Sequence, residues 1–315
     1  MDARSIRNVV VVGSGTMGPG IALTFARAGL NVFLVDLRRE ILEKGLEKIR
    51  SYLEVFAELS VIRKEDPDAI LSRIQTTTDL EEACGKADYF MEAVPEVLEV
   101  KQDVFRQADR WCPKGTILAS NASNMRVAPI ALVTGRPERV LVTHWVNPPH
   151  IIQLVEIAVG TSTSDDTVQT VREFLTRAGK APIVCKDTLS YLNNAMQVAL
   201  TKAALELWER GVASPEDIDR AVNMGFGFRL PIVGPLAFLD MAGLDNVRDG
   251  WAYLNQMTGG KFGSLPEAVK RLVDQGHWGL KTGKGIYNYS EEEIQDLAKE
   301  REKRLILQLK TLGRI

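Results

Sequence analysis

Three observations place this 315-residue chain in the α/β class, as a doubly wound, mainly parallel sheet followed by an all-helical C-terminal domain. Short β-branched apolar segments alternate with amphipathic ones over residues 1–187. One junction of that alternation carries the glycine-rich turn Gly13-Ser14-Gly15-Thr16-Met17-Gly18, which makes the sheet Rossmann-like. The alternation then stops, and from Thr188 onward every periodic segment reads as helix. The expected division is therefore 1–187 and 188–315.

Composition bounds the rest. A hydrophobic content of 45% over this length can supply the cores of two domains. Acidic and basic residues are interspersed and sum to a net charge of −2, which argues against a nucleic-acid footprint or a polybasic membrane patch. No stretch is apolar over a bilayer span, and the N-terminal valine run is broken by Gly13, so neither a membrane helix nor a signal peptide is expected. Three scattered cysteines, Cys84, Cys112 and Cys185, suit free thiols in a reduced cytoplasm. Three dispersed histidines offer no metal-ligand spacing. The expectation is a cytoplasmic protein with no metal.

Taken in order, Asn8–Val12 reads as a buried parallel strand, Pro19–Ala28 as a helix closed by Gly29, and Val32–Val35 as a second strand ending at Asp36. Between strand and helix, Gly13 permits the tight turn, Gly15 lets the backbone approach a pyrophosphate, and Gly18 allows close helix–strand packing. Thr16 and Met17 complete the loop, and the helix N-terminus turns its free N–H groups and positive dipole end toward the phosphates. Asp36, 18 residues past Gly18, suits the adenosine ribose hydroxyls and repels a 2′-phosphate, which favours NAD over NADP. Arg38 reads as a solvated residue at the next helix start.

An amphipathic stretch then runs to about Ser60, followed by a charged break at Arg63–Asp68 and a short helix at Asp68–Arg73. Ala87–Val94 is a buried strand with Glu96 just past its carboxyl end, where ligands bind in such sheets. Glu96 and Lys101 fit a solvated pair or a contact to the ribose or nicotinamide equally well. Thr116–Ser120 is the next strand. It opens into Asn121-Ala122-Ser123-Asn124, which are turn or cap residues by default and candidate ligands by position. Arg139–Thr143, Gln153–Val159 and Ala181–Lys186 are the remaining strands, with a helix at Asp165–Gly179.

Beyond them, Leu189–Arg210 is a helix closed by Gly211, and Ser214-Pro215-Glu216-Asp217 supplies a cap, a first-turn proline and acidic first-turn residues. Further helices cover Asp245–Met257, Pro266–Gln275 and Ser290–Lys310. The apolar, proline-broken stretch Phe226–Ala242 either packs within the chain or forms an association surface.

The candidate chemistry sits in Thr143–Glu156, THWVNPPHIIQLVE. His144 falls where one strand ends and Glu156 lies inside the next, so packed strands would bring carboxylate to imidazole. A histidine oriented by a carboxylate is the usual means of moving a proton near neutral pH. A lone histidine is more often structural. The Asn147-Pro148-Pro149 bend and the upstream nucleotide signature favour catalysis here.

The combination of GSGTMG, SNAS, HWVNP with Glu156 twelve residues after His144, CKD, and GLDNV near GPLAFLD resembles the L-3-hydroxyacyl-CoA dehydrogenase superfamily. The likeness runs through to LKTGKGIYNY, over nearly the whole chain. The superfamily also holds gulonate, carnitine and hydroxymethyl-pyridine-carboxylate dehydrogenases. The resemblance implies an NAD-dependent oxidoreductase that interconverts a hydroxyl and a carbonyl. It puts the family's catalytic histidine and glutamate on His144 and Glu156, and its substrate-contacting serine and asparagine on Ser123 and Asn194. Asn147, Glu96 and Lys101 match positions lining the nicotinamide end, and Asn121 joins the cofactor-binding set. A homodimer through the C-terminal helices is implied as well.

One segment departs from the pattern. Where members commonly have Pro-Gly-Phe, two residues, then Asn-Arg, this chain reads Leu189-Ser190-Tyr191-Leu192-Asn193-Asn194-Ala195. The asparagine is kept while its neighbours change, through drift or for a different substrate pocket. The excursion where the family places CoA contacts reads LSVIRKEDPDAILSRI, with Arg63 and Lys64 followed at once by Glu65 and Asp66. HWVNPPH is also closer to members acting on free acids than the HFFNP wording of acyl-CoA enzymes. A small carboxylate-bearing hydroxy compound is therefore expected ahead of a CoA thioester. The reading from another class, a non-catalytic nucleotide-binding or structural protein, conflicts with joint retention of Ser123, His144, Glu156 and Asn194.

Overall fold

The computed structural model describes residues 2–315 and divides into two compact units, Met1–Leu200 and Thr201–Ile315. The first unit runs β1 (Asn8–Val12), α1 (Gly18–Arg27), β2 (Asn31–Val35), α2 (Arg39–Glu58), α3 (Asp66–Leu71), β3 (Ile74–Thr77), α4 (Leu80–Cys84) and β4 (Tyr89–Glu92). It continues with α5 (Leu98–Trp111), β5 (Ile117–Ser120), α6 (Val127–Ala131), β6 (Val140–Trp145), β7 (Leu154–Val159), α7 (Asp165–Arg177) and β8 (Ala181–Lys186), and α8 (Tyr191–Glu209) crosses its boundary.

The strands form one sheet in the order β3-β2-β1-β4-β5-β6-β7-β8. β7 runs antiparallel to β6, and every other neighbouring pair is parallel. β1 illustrates why buried parallel strands read as unbroken apolar runs. Val9 and Val11 enter the core beneath α1, α2 and α7, with Phe25, Leu53 and Phe174. Val10 and Val12 enter the opposite core, with Phe90, Phe105 and Ile130. Both faces demand apolar side chains, so the period-2 alternation disappears. The chain crosses from one side of β1 to the other between β3 and β4, which puts the topological switch point at the carboxyl edge of β1.

Three details differ from the sequence-based expectation. The excursion contains a strand, β3, and a short helix, α4, that the pattern does not announce. β3 is an edge strand in which only Ile74 is buried, so it lacks the apolar run of its neighbours. The short helix begins at Asp66, two residues early, because Pro67 fits its first turn. β6 extends through Trp145, because β7 pairs with it as far as Trp145↔Val155, so His144 lies within the strand.

In the second unit the elements are α9 (Pro215–Met224), α10 (Phe226–Arg229), α11 (Pro235–Ala242), α12 (Leu244–Met257), α13 (Glu267–Asp274) and α14 (Glu291–Thr311). Ser214 caps α9 by accepting from the Asp217 N–H, and Ser290 with Glu293 forms a capping box on α14. Among the described residues no helix is long and apolar enough to cross a membrane. The three cysteines are free, Cys84 and Cys112 buried and Cys185 half-buried.

Candidate active site

At the switch point, the Gly13 N–H donates to Val35 O at 2.8 Å while φ is +104°. A Cβ there would lie 2.5 Å from Ala93 O, and one on Gly18 only 1.7 Å from Gly13 O. Both positions need glycine for close backbone packing. Gly15 is different, since nothing lies within 4 Å of where its Cβ would be. That open side is where a phosphate can approach the backbone. Thr16 is exposed, Met17 leans on the core, and no side chain caps α1, which leaves first-turn N–H groups for an anion. Asp36 is fastened beside the turn, accepting from the Ser14 N–H at 2.8 Å and from its neighbour Leu37 N–H at 2.8 Å. Arg38 is an exposed residue at the start of α2. Lys48, which no motif signalled, donates to Gly15 O at 3.0 Å. Open glycine, uncapped helix end and acid after the second strand fit a dinucleotide.

The turn of β7 against β6 makes His144 and Glu156 direct cross-strand partners. Side chains opposite one another in an antiparallel pair share a face of the sheet. His144 Nδ1 lies 2.7 Å from Glu156 Oε2, and both residues are buried. The other carboxylate oxygen, Oε1, accepts from the N–H groups of Leu192 (2.9 Å) and Asn193 (2.8 Å) in the first turn of α8. Burial alone would push the Glu156 carboxyl up. Hydrogen bonds from His144 and from the Asn193 and Leu192 N–H groups, with the field of His144, outweigh it and hold the group below its ordinary range. The glutamate is therefore an anion with both oxygens engaged. The Tyr191 ring tilts against the imidazole, centroids 5.5 Å apart. Asn121 Oδ1 accepts from the Trp145 N–H at 2.9 Å and so steadies the strand next to His144.

A second buried carboxylate lies on β4. Glu92 Oε1 accepts from Lys101 Nζ at 2.8 Å and from the Val94 N–H at 2.7 Å, while Ser120 Oγ donates to its Oε2 at 2.5 Å. Burial pushes the Glu92 carboxyl above its ordinary range, against the pull of Lys101 and the hydrogen bonds. The solvated-pair reading of Glu96 and Lys101 is thus corrected. Lys101 is 1% exposed, because the amphipathic α5 turns it inward onto Glu92, and it also stands 3.3 Å from Glu96 Oε2. Glu92 itself escaped the sequence reading, although an acid inside the apolar run YFMEAV was a usable signal.

Glu96 shapes the neighbouring loop. Its Oε1 accepts from the N–H groups of Ser123 (2.8 Å) and Asn124 (2.9 Å). Asp187 accepts from the Val127 N–H at 3.0 Å and so anchors the other end of that loop. Ser190 and Tyr191, the departing residues, attach to the same loop. Ser190 Oγ donates to Asn124 Oδ1 at 3.2 Å, and the Tyr191 hydroxyl donates to Met125 O. Ser190 holds φ at +65° and Tyr191 at +40°, conformations in which a glycine would be unstrained. The two added hydroxyls thus bond the loop that carries Ser123. The Ser123 hydroxyl and the Asn194 amide, both half-buried, make no hydrogen bond among the described residues. Asn194 sits in the α8 turn whose N–H groups hold Glu156, whereas Asn147 is exposed in the segment after β6. His144, Glu156 and Asn121 are brought together, and Glu96, Lys101 and Ser123 form a second group joined through the Asn121–Asn124 loop. Among the described residues no cluster of three potential metal ligands exists.

Two family descriptions match the chain, the NAD-binding domain of 3-hydroxyacyl-CoA dehydrogenase over residues 8–188 and its C-terminal domain over 191–289. The chain is 35% identical over 303 residues to 5-formyl-3-hydroxy-2-methylpyridine 4-carboxylate 5-dehydrogenase of Mesorhizobium japonicum, covering 96% of each. It is 36% identical over 292 residues to the mitochondrial hydroxyacyl-coenzyme A dehydrogenase of Sus scrofa, covering 90% of this chain and 91% of the other. Its fold is similar to the crystal structure of a 3-hydroxyacyl-CoA dehydrogenase from Archaeoglobus fulgidus, with a TM-score of 0.84 and 35% identity over 98% of this chain and all of that one.

Proposed function

The chain belongs to the 3-hydroxyacyl-CoA dehydrogenase family, an NAD-dependent dehydrogenase acting on hydroxyl groups, and from that premise we propose its reaction and substrate class. The reaction interconverts a hydroxyl and a carbonyl on a small carboxylate-bearing hydroxy compound, with His144 and Glu156 as the proton-transfer pair. The observation that carries this reading is the buried 2.7 Å contact between His144 Nδ1 and Glu156 Oε2.

That contact fixes one ring nitrogen and leaves Nε2 to exchange a proton with the substrate hydroxyl. Bound NAD supplies the hydride acceptor for oxidation and, reduced, the donor for the reverse. As the hydroxyl proton moves to Nε2, the imidazolium that forms faces a carboxylate already anionic. Glu156 stays anionic because the α8 N–H groups hold its far oxygen. Ser123 and Asn194 orient the hydroxyl or a neighbouring carbonyl. Gly13, Gly15, Thr16, Met17 and Gly18 receive the pyrophosphate and Asp36 the ribose. Glu96, Lys101, Asn121 and Asn147 shape the nicotinamide end. On this reading the catalytic division of the chain is 1–187 for the dinucleotide and 188–315 for substrate and association, in a cytoplasmic enzyme.

For the small acid, the supporting observation is that Arg63 is consumed locally, 2.7 Å from Asp66 and 3.6 Å from Glu65. Arg63 then offers little net charge to CoA phosphates. For a 3-hydroxyacyl-CoA, the support is the Archaeoglobus fulgidus likeness and the Sus scrofa relative. NADH formation across a panel of free hydroxy acids and 3-hydroxyacyl-CoAs separates them. A free acid should reduce NAD with little gain on adding CoA. A kcat/KM orders of magnitude higher for 3-hydroxybutyryl-CoA reverses the ordering. A homodimer through the C-terminal helices is proposed as well, because Phe226, Leu230 and Leu236 are exposed in the apolar stretch. A monomer mass by light scattering at micromolar protein contradicts it.

A further inference from the structure

A cavity of about 630 Å³ opens in the first unit, walled by the last turns of α1, by α3, by the segment after β6 and by the end of α7. None of its lining residues belongs to the glycine turn or to the His144–Glu156 pair. The walls carry Arg27, Arg63, Arg73, Arg177, Lys180 and His150 against a single acid, Asp66. Asp66 is taken up by Arg63, whose guanidinium bonds it at 2.7 Å, and it also lies in the field of Arg73. Among the described residues no carboxylate stands within ion-pair distance of Arg27, Arg73, Arg177 or Lys180.

Neutral groups hold these cations in place. Arg73 donates to Ala26 O at 3.3 Å, Arg177 to Ala3 O at 2.7 Å, and Lys180 to Ile152 O at 2.8 Å and to Pro149 O. The Arg27 guanidinium lies 4.4 Å over the Phe56 ring. Carbonyls and a ring orient the charges without neutralising them. Lys180 is buried, and burial together with Arg27 brings its pKa down to about 8. His150 stacks on Tyr52 with centroids 3.8 Å apart, and its Nδ1 is buried with no hydrogen-bond partner. Burial and then the charges of Lys180 and Arg27 hold its pKa below the ordinary value. Single surface cations are common and need no ligand. Four without a carboxylate around one cavity, in a chain of net charge −2, are a local concentration of like charge. Such an arrangement is relieved by an anion that several guanidinium forks can share.

We propose that this cavity binds a small phosphate-bearing anion, gripped by Arg27, Arg73, Arg177 and Lys180 with His150 in its wall. The proposal does not rest on the small-acid reading above, and a CoA outcome of its test reverses that reading. The phosphates can be those of a free metabolite or those of a CoA-type thioester serving as substrate.

The test is calorimetric titration of inorganic pyrophosphate into the full chain saturated with NADH, so that the dinucleotide turn is already filled. Saturable binding is expected, weaker at high ionic strength and weaker by about tenfold or more in Arg27→Ser/Arg177→Ser. The charge-retaining Arg27→Lys/Arg177→Lys variant should recover part of the affinity, which separates charge from a folding defect. Absence of saturable binding in the NADH-loaded wild type overturns the proposal, and so does equal affinity in wild type and the serine variant. Displacement of bound pyrophosphate by acetyl-CoA, with a raised KM for acyl-CoA alone in the serine variant, identifies the substrate's own phosphates. Retention of pyrophosphate beside acetyl-CoA identifies a separate anion.

Discussion

Glu92 on β4 and Glu156 on β7 are both fully buried carboxylates, yet their surroundings give them different work. Glu92 sits in the parallel centre of the sheet and meets an ammonium, Lys101 Nζ, plus the Ser120 hydroxyl. Glu156 sits where the sheet turns antiparallel and meets an imidazole, with the α8 N–H groups behind it. A lysine ammonium keeps its proton through the neutral range, whereas an imidazole exchanges one there. On the proposed reading the first pair holds structure and the second moves a proton. Burial and satisfied hydrogen bonds are common to both, so neither feature marks a catalytic residue. The partner does.

The largest effect expected from breaking the comparison is on turnover. His144→Ala should lower kcat by roughly two to four orders of magnitude, measured as NADH formation. NADH affinity should stay near wild type, since the glycine turn and the pair are separate structures. Next comes Lys101→Met, which leaves the buried Glu92 without its ammonium partner. Removing one partner of a buried pair costs on the order of 3–5 kcal/mol, read as a shift of the urea midpoint.

How much of this was legible differs between the two regions. β1 and β2 announced themselves because strands covered on both faces must be apolar throughout. β3 did not, because at the sheet edge Gln75 and Thr76 face solvent and nothing forces a pattern. The His144–Glu156 contact could be anticipated from two strand-like runs joined by a short proline-rich segment. The Glu92–Lys101 contact could not, since it depends on α5 turning one lysine inward. Ser190 and Tyr191 stood out as departures, but their attachment to Asn124 and Met125 requires the fold. The cations of the cavity come from separate segments of the first unit, and no motif links them.

Acid titration sharpens the contrast, because the two carboxylates carry opposite signs. The Glu156 carboxyl is held low, so its stabilisation is present above an unfolded value of roughly 4.3 and is lost as pH falls through the folded one. The Glu92 carboxyl is pushed up, so stability declines as pH rises from roughly 4.3 through its folded value. Urea melts between acid and neutral pH should show Glu156→Gln flattening the first slope and Glu92→Gln the second. Slopes of the same sign would remove the distinction.

Smaller effects belong to the departing segment. Tyr191→Phe deletes the bond to Met125 O and should cost about 1 kcal/mol, with a several-fold rise in substrate KM and unchanged NADH binding. Ser190→Gly relieves a positive φ while losing the bond to Asn124, and should be close to neutral in thermal stability.

The most direct test sets Glu156→Gln beside Glu92→Gln and measures kcat and thermal midpoint on the same preparations. If the account is right, Glu156→Gln loses about tenfold or more in kcat for a modest change in midpoint. Glu92→Gln loses several degrees in midpoint, while the folded fraction keeps kcat within a few-fold of wild type. Parallel losses in both quantities for both variants, or undiminished turnover in Glu156→Gln, would contradict the assignment of proton transfer to the His144–Glu156 pair.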